Sequence, residues 1–205
     1  MSLNFNFSEE QRMLEDSVVK WAYAWLEPQM EHMYEKDEMP PDLFKQTGDL
    51  GINGIVFEEK YGGAALGYVE TLLAYESIAR VSNALSMTVG ASQTLCFDNF
   101  RRNATEEQKL AVLPKSCTGE WIGCLGITEP NAGSDAMSLA TRAEKKGDKY
   151  VINGSKIFIT NGPVADFMVF YAKTAPEKGP HGISAFFFEP KKAKGFTCEK
   201  IKKWG

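Results

Sequence analysis

The sequence predicts an α+β protein, a helical first part followed by a β-rich second part, with the change of character near residue 120. Three observations carry this reading. Ser8-Glu9-Glu10-Gln11 and Thr105-Glu106-Glu107-Gln108 are both capping boxes, in which a hydroxyl and a glutamine exchange hydrogen bonds with the first backbone N–H groups of a helix. Apolar residues between them recur at helical spacing. After Glu120 the apolar runs become short and rich in β-branched and aromatic residues. The expected division is a helical domain over residues 1–120 and a β domain over residues 121–205.

The first box opens a helix whose buried stripe is Leu14, Val18, Trp21 and Trp25. Pro28 marks a break or kink, because its ring supplies no N–H to a helix ladder. Pro40-Pro41-Asp42 opens a short helix, ended by Gly48. Gly51 to Gly67 is turn-rich. A second long helix starts at Tyr68 and carries Leu72, Tyr75, Ile78 and Ala79. Leu85 to Phe100 is a third apolar segment. The second box then starts a short helix that Pro114 follows.

In the second part, Tyr150-Val151-Ile152 and Lys156-Ile157-Phe158-Ile159 flank Asn153-Gly154. Asn-Gly is the strongest short hairpin signal, since a type I′ turn needs φ > 0 at both central residues. A hairpin centred there is expected. Phe167 to Tyr171, Ile183 to Phe188 and Phe196 to Ile201 continue the strand pattern.

Composition narrows the function. A net charge of −4 argues against nucleic acid as the main partner. Cys96, Cys117, Cys124 and Cys198 form no Cys-x-x-Cys pair, and neither His32 nor His181 lies at ligand spacing from them. They read as free thiols in a reducing compartment. No apolar run is long enough for a membrane span, and Met1-Ser2-Leu3-Asn4-Phe5 lacks the features of a signal peptide. The expected location is cytoplasmic. Lys191, Lys192, Lys194, Lys200, Lys202 and Lys203 read as a solvated basic face.

The most informative stretch is Gly126-Ile127-Thr128-Glu129-Pro130-Asn131-Ala132-Gly133-Ser134-Asp135, fed by the apolar run Trp121 to Leu125. Such a segment stops a strand and wraps its backbone around a polar ligand. Thr128, and Thr160 in the later cluster Thr160-Asn161-Gly162, each offer a hydroxyl and a backbone N–H. Gly133 removes the Cβ that would block close approach, and Ser134 adds a donor beside it. Pro130 biases Glu129 toward extended backbone.

The order and spacing of Tyr61-Gly62-Gly63 with Leu66-Gly67, Thr128-Glu129-Pro130 with Gly133-Ser134-Asp135, and Ile152-Asn153-Gly154 with Ile159-Thr160-Asn161-Gly162 resemble the acyl-CoA dehydrogenase family. The resemblance covers essentially the whole chain but only about the first half of a full family member. It implies an N-terminal all-α domain followed by an incomplete β-barrel-like middle domain, with FAD as cofactor. It implies that Leu125, Ile127 and Thr128 line the flavin edge and that Phe158, Ile159 and Thr160 lie along its ring. By the same resemblance Gly133 and Ser134 hold the pyrophosphate region, with Ser134 also near the acyl-CoA. Many members carry tryptophan where this chain has Phe158, which can still stack but lacks the indole N–H.

The implied reaction removes hydrogens from the α and β carbons of an acyl-CoA thioester. Electron-transfer flavoprotein is the implied acceptor and a homotetramer the implied assembly. The family's catalytic glutamate would lie beyond Gly205, and Glu129 matches a structural position, so no catalytic residue is assigned and the isolated 205-residue chain is expected to be inactive. The chain reads as the N-terminal portion of such an enzyme. The competing readings are one subunit of a split enzyme, a non-catalytic flavin- or acyl-CoA-binding module, and an acyl-CoA oxidase. The expected pocket helix, Leu85 to Leu95, contains no Arg or Lys, which predicts a neutral acyl chain of short or medium length or with a branch.

Overall fold

A computed structural model describes residues 6–202. The reading of Met1–Phe5, and Lys203 of the basic run, lie outside the described residues. Ser8 caps α1 (Glu9–Trp21): its Oγ accepts from Gln11 N at 3.2 Å, and Gln11 Oε1 accepts from Ser8 N at 2.9 Å. The predicted stripe faces inward. Val18 is fully buried, Leu14, Trp21 and Trp25 pack on the same core, and the two indoles stack at 5.4 Å. The chain then passes through a π-helical turn, Ala22–Leu26, and a 3₁₀ turn, Glu27–Gln29, into α2 (Met30–Lys36). Pro28 sits where the ladder changes period, as a residue without an N–H should.

Four further helices precede the capping threonine: α3 (Leu43–Asp49), α4 (Tyr68–Ala79), α5 (Asn83–Gly90) and α6 (Asp98–Asn103), the last two joined by a π-helical stretch, Ala91–Phe97. Leu26, Leu43, Ile52, Ile78 and Val89 form the core of this helical part. α7 (Glu106–Cys117) is capped by Thr105 as predicted, but Pro114 lies inside it rather than after it. The proline deprives only the Leu110 carbonyl of a partner. Leu110 is exposed, so water can satisfy that oxygen, while Val112, Leu113 and Cys117 bury the helix on either side.

The second part is an open five-stranded sheet: β1 (Gly123–Gly126), β2 (Arg142–Lys146), β3 (Lys149–Asn153), β4 (Phe167–Lys173) and β5 (Ile183–Phe188). β4 is the centre. β5 runs antiparallel along one edge; β1 runs parallel along the first part of the other edge, and β2 joins at Lys173 with β3 beyond it. β4 is buried on both faces, with the two-residue alternation of a strand. Phe167 and Val169 enter a core built with Phe57, Phe97, Phe100 and Leu113, while Met168, Phe170 and Ala172 pack with Cys124, Ala143 and Ala165.

Two strand expectations are corrected. The hairpin turns at Gly147-Asp148, not at Asn153-Gly154: β2 pairs antiparallel with β3, with Lys146 opposite Lys149. Gly147 takes φ 65 as the first of two turn residues, which satisfies a primed turn with one glycine. This register buries Ala143 against Ile152. Residues 156–159 join no strand, because Lys156 turns inward to a buried carboxylate. Residues 196–201 form no strand either, although Phe196 packs edge-on against Phe188.

The four cysteines are free thiols; Cys96, Cys117 and Cys124 are buried and Cys198 is exposed. Burial pushes the Cys117 thiol up to about 11 and Cys124 up to about 12, which leaves both protonated and unreactive near neutrality. Among the described residues no helix is long and apolar enough to cross a membrane. Lys191, Lys192 and Lys200 form exposed ion pairs with Asp166, Glu189 and Asp37.

Candidate functional site

β1 ends at Gly126 in close contact with β4. A Cβ on Gly126 would stand 2.7 Å from both Met168 Cε and Phe170 Cδ2, so this strand end fits only without a side chain. Ile127 and Thr128 leave the ladder there. The chain reverses immediately: Glu129 N donates to Ala132 O at 2.9 Å and Ala132 N to Glu129 O at 3.1 Å.

Glu129 points into the protein and is 6% exposed. Its carboxylate accepts from Ala140 N at 2.6 Å, Thr141 N at 3.0 Å and Lys156 Nζ at 2.8 Å. Burial alone would push this carboxyl up. The Lys156 ammonium and the two backbone amides outweigh it and hold the group down at about 2. A carboxylate so fully engaged is an anchor, not a proton acceptor, and the geometry agrees with the structural role implied by the resemblance.

The second segment docks on the first. Ile157 N donates to Thr128 O at 2.9 Å, and Lys156 Nζ donates to Ile127 O at 3.1 Å. Ile127 and Thr128 are thereby joined to the segment that carries Phe158 and Thr160, although about thirty residues separate the two in sequence. Phe158 adopts φ 58 and is 71% exposed. A bulky side chain in the left-handed region is uncommon and costs energy.

The other predicted residues stand apart. Leu125 is partly buried and packs on the Phe97–Phe167 core, and Ile159 on the opposite core beneath β4. Gly133 and Ser134 lie in the exposed turn after Ala132, and no hydrogen bond joins them to the 156–160 segment. Sequence reasoning missed the side-chain roles of Lys156 and Asn161. A lysine opening an apolar run, with an acid in the turn upstream, was the available signal.

A large ligand with a flat ring and phosphates fits these features. The hydroxyls of Thr128, Ser134 and Thr160 make no hydrogen bond to another described residue. Among the described residues, no atom beyond Gly133 and its two chain neighbours lies within 4 Å of where a Gly133 Cβ would stand, and Gly133 does not adopt a positive φ. Nothing in the chain's own packing calls for glycine there. A glycine there leaves room for the close approach of a ligand.

A helical part thus feeds an open sheet through this turn. Residues 8–120 match the family model described as acyl-CoA dehydrogenase, N-terminal domain, and residues 124–205 match the middle domain. The chain belongs to the acyl-CoA dehydrogenase family. It is 44% identical over 203 residues to the mitochondrial isovaleryl-CoA dehydrogenase of Pongo abelii, covering 97% of this chain and 48% of that protein. The chain thus spans about half the length of the curated relatives it matches. A solved chain from work on the electron transferring flavoprotein of Acidaminococcus fermentans superposes with a TM-score of 0.93 at 40% identity, over 98% of this chain and 53% of that one. A glutaryl-CoA dehydrogenase from Mycobacterium smegmatis, solved in complex with FADH2, gives a TM-score of 0.89 at 30% identity, over 96% and 49%.

Proposed function

We propose that this chain is the flavin-facing portion of an FAD-dependent acyl-CoA dehydrogenase, acting on a neutral short- or medium-chain or branched acyl-CoA. The observation that carries this reading is the pinning of Lys156 and Ile157 onto Ile127 and Thr128, which links the segment bearing the exposed Phe158 and the Thr160 hydroxyl to the segment bearing the Thr128 hydroxyl. Bound FAD supplies the acceptor for the hydride that leaves the β carbon of the acyl chain.

The chain's own residues hold and orient. Thr128 and Thr160 offer hydroxyl donors to the ring edge, while Ile127 and Phe158 provide apolar surface that keeps water from it, and Leu125 and Ile159, packed into the two cores, support the segments that carry them. Gly133 leaves room for a pyrophosphate and Ser134 donates to it, with the acyl-CoA on the same side. Glu129 is excluded as the α-proton acceptor by its three donors, and no other carboxylate is assigned that role. The domain division at residue 120, electron-transfer flavoprotein as acceptor, a homotetramer and a cytoplasmic location belong to the same reading. The match to a chain solved in work on an electron transferring flavoprotein supports that acceptor, and the free thiols support a reducing compartment.

The test is to measure FAD content and flavin redox potential in Thr160→Ala and Gly133→Asp, each made in the full-length polypeptide that carries this sequence. The first should shift the potential with FAD retained. The second should empty the protein of FAD, because a carboxylate would meet the pyrophosphate. Two variants with normal content and potential would show the site to be misplaced. The intact mass of the native polypeptide separates the single-chain reading from the split-enzyme one: about twice 22.8 kDa supports the former, and 22.8 kDa with a co-purifying second chain the latter.

A further inference from the structure

Residues 156–162 carry three of the eight side chains assigned to the flavin, yet they belong to no strand. Two of them, Phe158 and Asn161, adopt φ 58 and φ 67. A backbone in these conformations relaxes unless its surroundings hold it. Within the segment Gly162 N bonds back to Ile159 O at 3.0 Å; from outside, Ile157 N is tied to Thr128 O, and Asn161 O accepts from Val164 N at 3.0 Å and Ala165 N at 2.9 Å. Ile159 packs on the core with Met168 and Phe170, and two side chains, one near each end, tie the segment to other elements.

At the first end, Lys156 reaches inward with its side chain only 3% exposed. Its ammonium donates to Ile127 O and to Glu129 Oε1, and it lies 5.1 Å from the centre of the Phe170 ring. At the other end, the Asn161 side-chain amide donates to Thr88 O on α5 at 2.9 Å and to Gly123 O at the start of β1 at 3.2 Å. Asparagine suits both demands here. It tolerates the left-handed backbone better than other side chains, and its amide has two N–H groups for two carbonyls. Aspartate, of the same shape, would face both carbonyls with acceptors.

We propose that Lys156 and Asn161 are positioning residues, two pegs that hold Phe158–Ile159–Thr160 in register with Ile127–Thr128, with Glu129 anchoring Lys156. The inference rests on the flavin reading above. It adds that the pitch of the ring-facing segment is set from outside the site. One peg fixes it to the turn after β1, and the other fixes it to both the helical part and the strand that delivers Thr128.

The experiment compares the full-length wild-type polypeptide with Asn161→Gly and with the double variant Glu129→Leu/Lys156→Met. Glycine keeps the backbone conformation and removes both donors. The double variant replaces a buried ion pair by apolar side chains, a change that folds better than leaving one charge alone. The readouts are the FAD dissociation constant, the shape of the flavin visible absorption band, and hydrogen exchange at the amides of residues 157–160. Both variants should fold by circular dichroism, bind FAD about tenfold more weakly, broaden or shift the flavin band and exchange faster at those amides. If Asn161→Gly fails to fold, the double variant decides. Folded variants with wild-type affinity, band shape and exchange would overturn the positioning role and leave the flavin reading standing. A wild-type protein that binds no FAD would overturn the flavin reading itself, and this role with it.

Discussion

Phe167 of β4 stacks on Phe97, with ring centroids 5.6 Å apart and planes 15° from parallel. Phe100 meets the same ring edge-on at 5.0 Å, and Trp121 stacks on it at 5.8 Å. A single side chain of the sheet thus closes the core shared with the helices. Phe167→Ala should cost about 3–5 kcal/mol, the range for deleting a buried aromatic. Denaturant unfolding followed separately by far-ultraviolet circular dichroism and by tryptophan fluorescence checks it. The midpoint should fall in both probes together. A change below about 1 kcal/mol would mean that the two parts do not share this core energetically.

Glu129 gives the fold a defined acid limit. Its carboxyl is held at about 2 in the folded chain, below the ordinary glutamate value. A lowered folded-state value means that the unfolded chain binds the proton more readily. The contribution is therefore present above the unfolded value, about 4.3, and fades as pH falls from there toward 2. It amounts to at most about 3 kcal/mol. Urea midpoints measured between pH 6 and pH 2.5 should fall more steeply in the wild type than in Glu129→Leu/Lys156→Met. Parallel slopes would show that this carboxylate does not govern acid stability.

The absence of Arg and Lys from Leu85 to Leu95 leads to a substrate prediction. A dicarboxylyl thioester needs a cation to meet its second carboxylate, since burying that charge unpaired is costly. Along this stretch Met87 and Leu95 are exposed, and Tyr75 donates to or accepts from Thr94 at 3.0 Å; the polar groups here are neutral. The full-length enzyme should turn over isovaleryl- or butyryl-CoA at least about tenfold faster than glutaryl-CoA, a difference of about 1.4 kcal/mol. Faster turnover of glutaryl-CoA would sink the neutral-chain reading. Oxygen consumption without an added acceptor would favour an oxidase over a dehydrogenase.

Local chemistry was legible where it acts alone. The capping pairs Ser8–Gln11 and Thr105–Gln108 form as read, because each needs only residues three apart. The strand at Ile183–Phe188 and the helix start at Tyr68 also follow from their own residues. Asn153-Gly154 misled because a strong turn signal says nothing about which neighbouring run is free to pair. Lys156 was taken from that run by a carboxylate distant in sequence. The candidate site was legible as two motifs, but not as one surface: the bond from Ile157 N to Thr128 O that joins them has no trace in either motif.

The parallel pairing of Gly123–Gly126 with Phe167–Phe170 has a consequence for how the chain is made. During synthesis the helical part leaves the ribosome first, and its neighbouring helices find one another early. β1 emerges next and has no partner until some forty residues more have followed. Throughout that interval the side of Phe97 and Phe100 that Phe167 covers stays open. A nascent chain stalled before β4 would therefore be sticky at one defined place, and that is where a holding chaperone would find its grip.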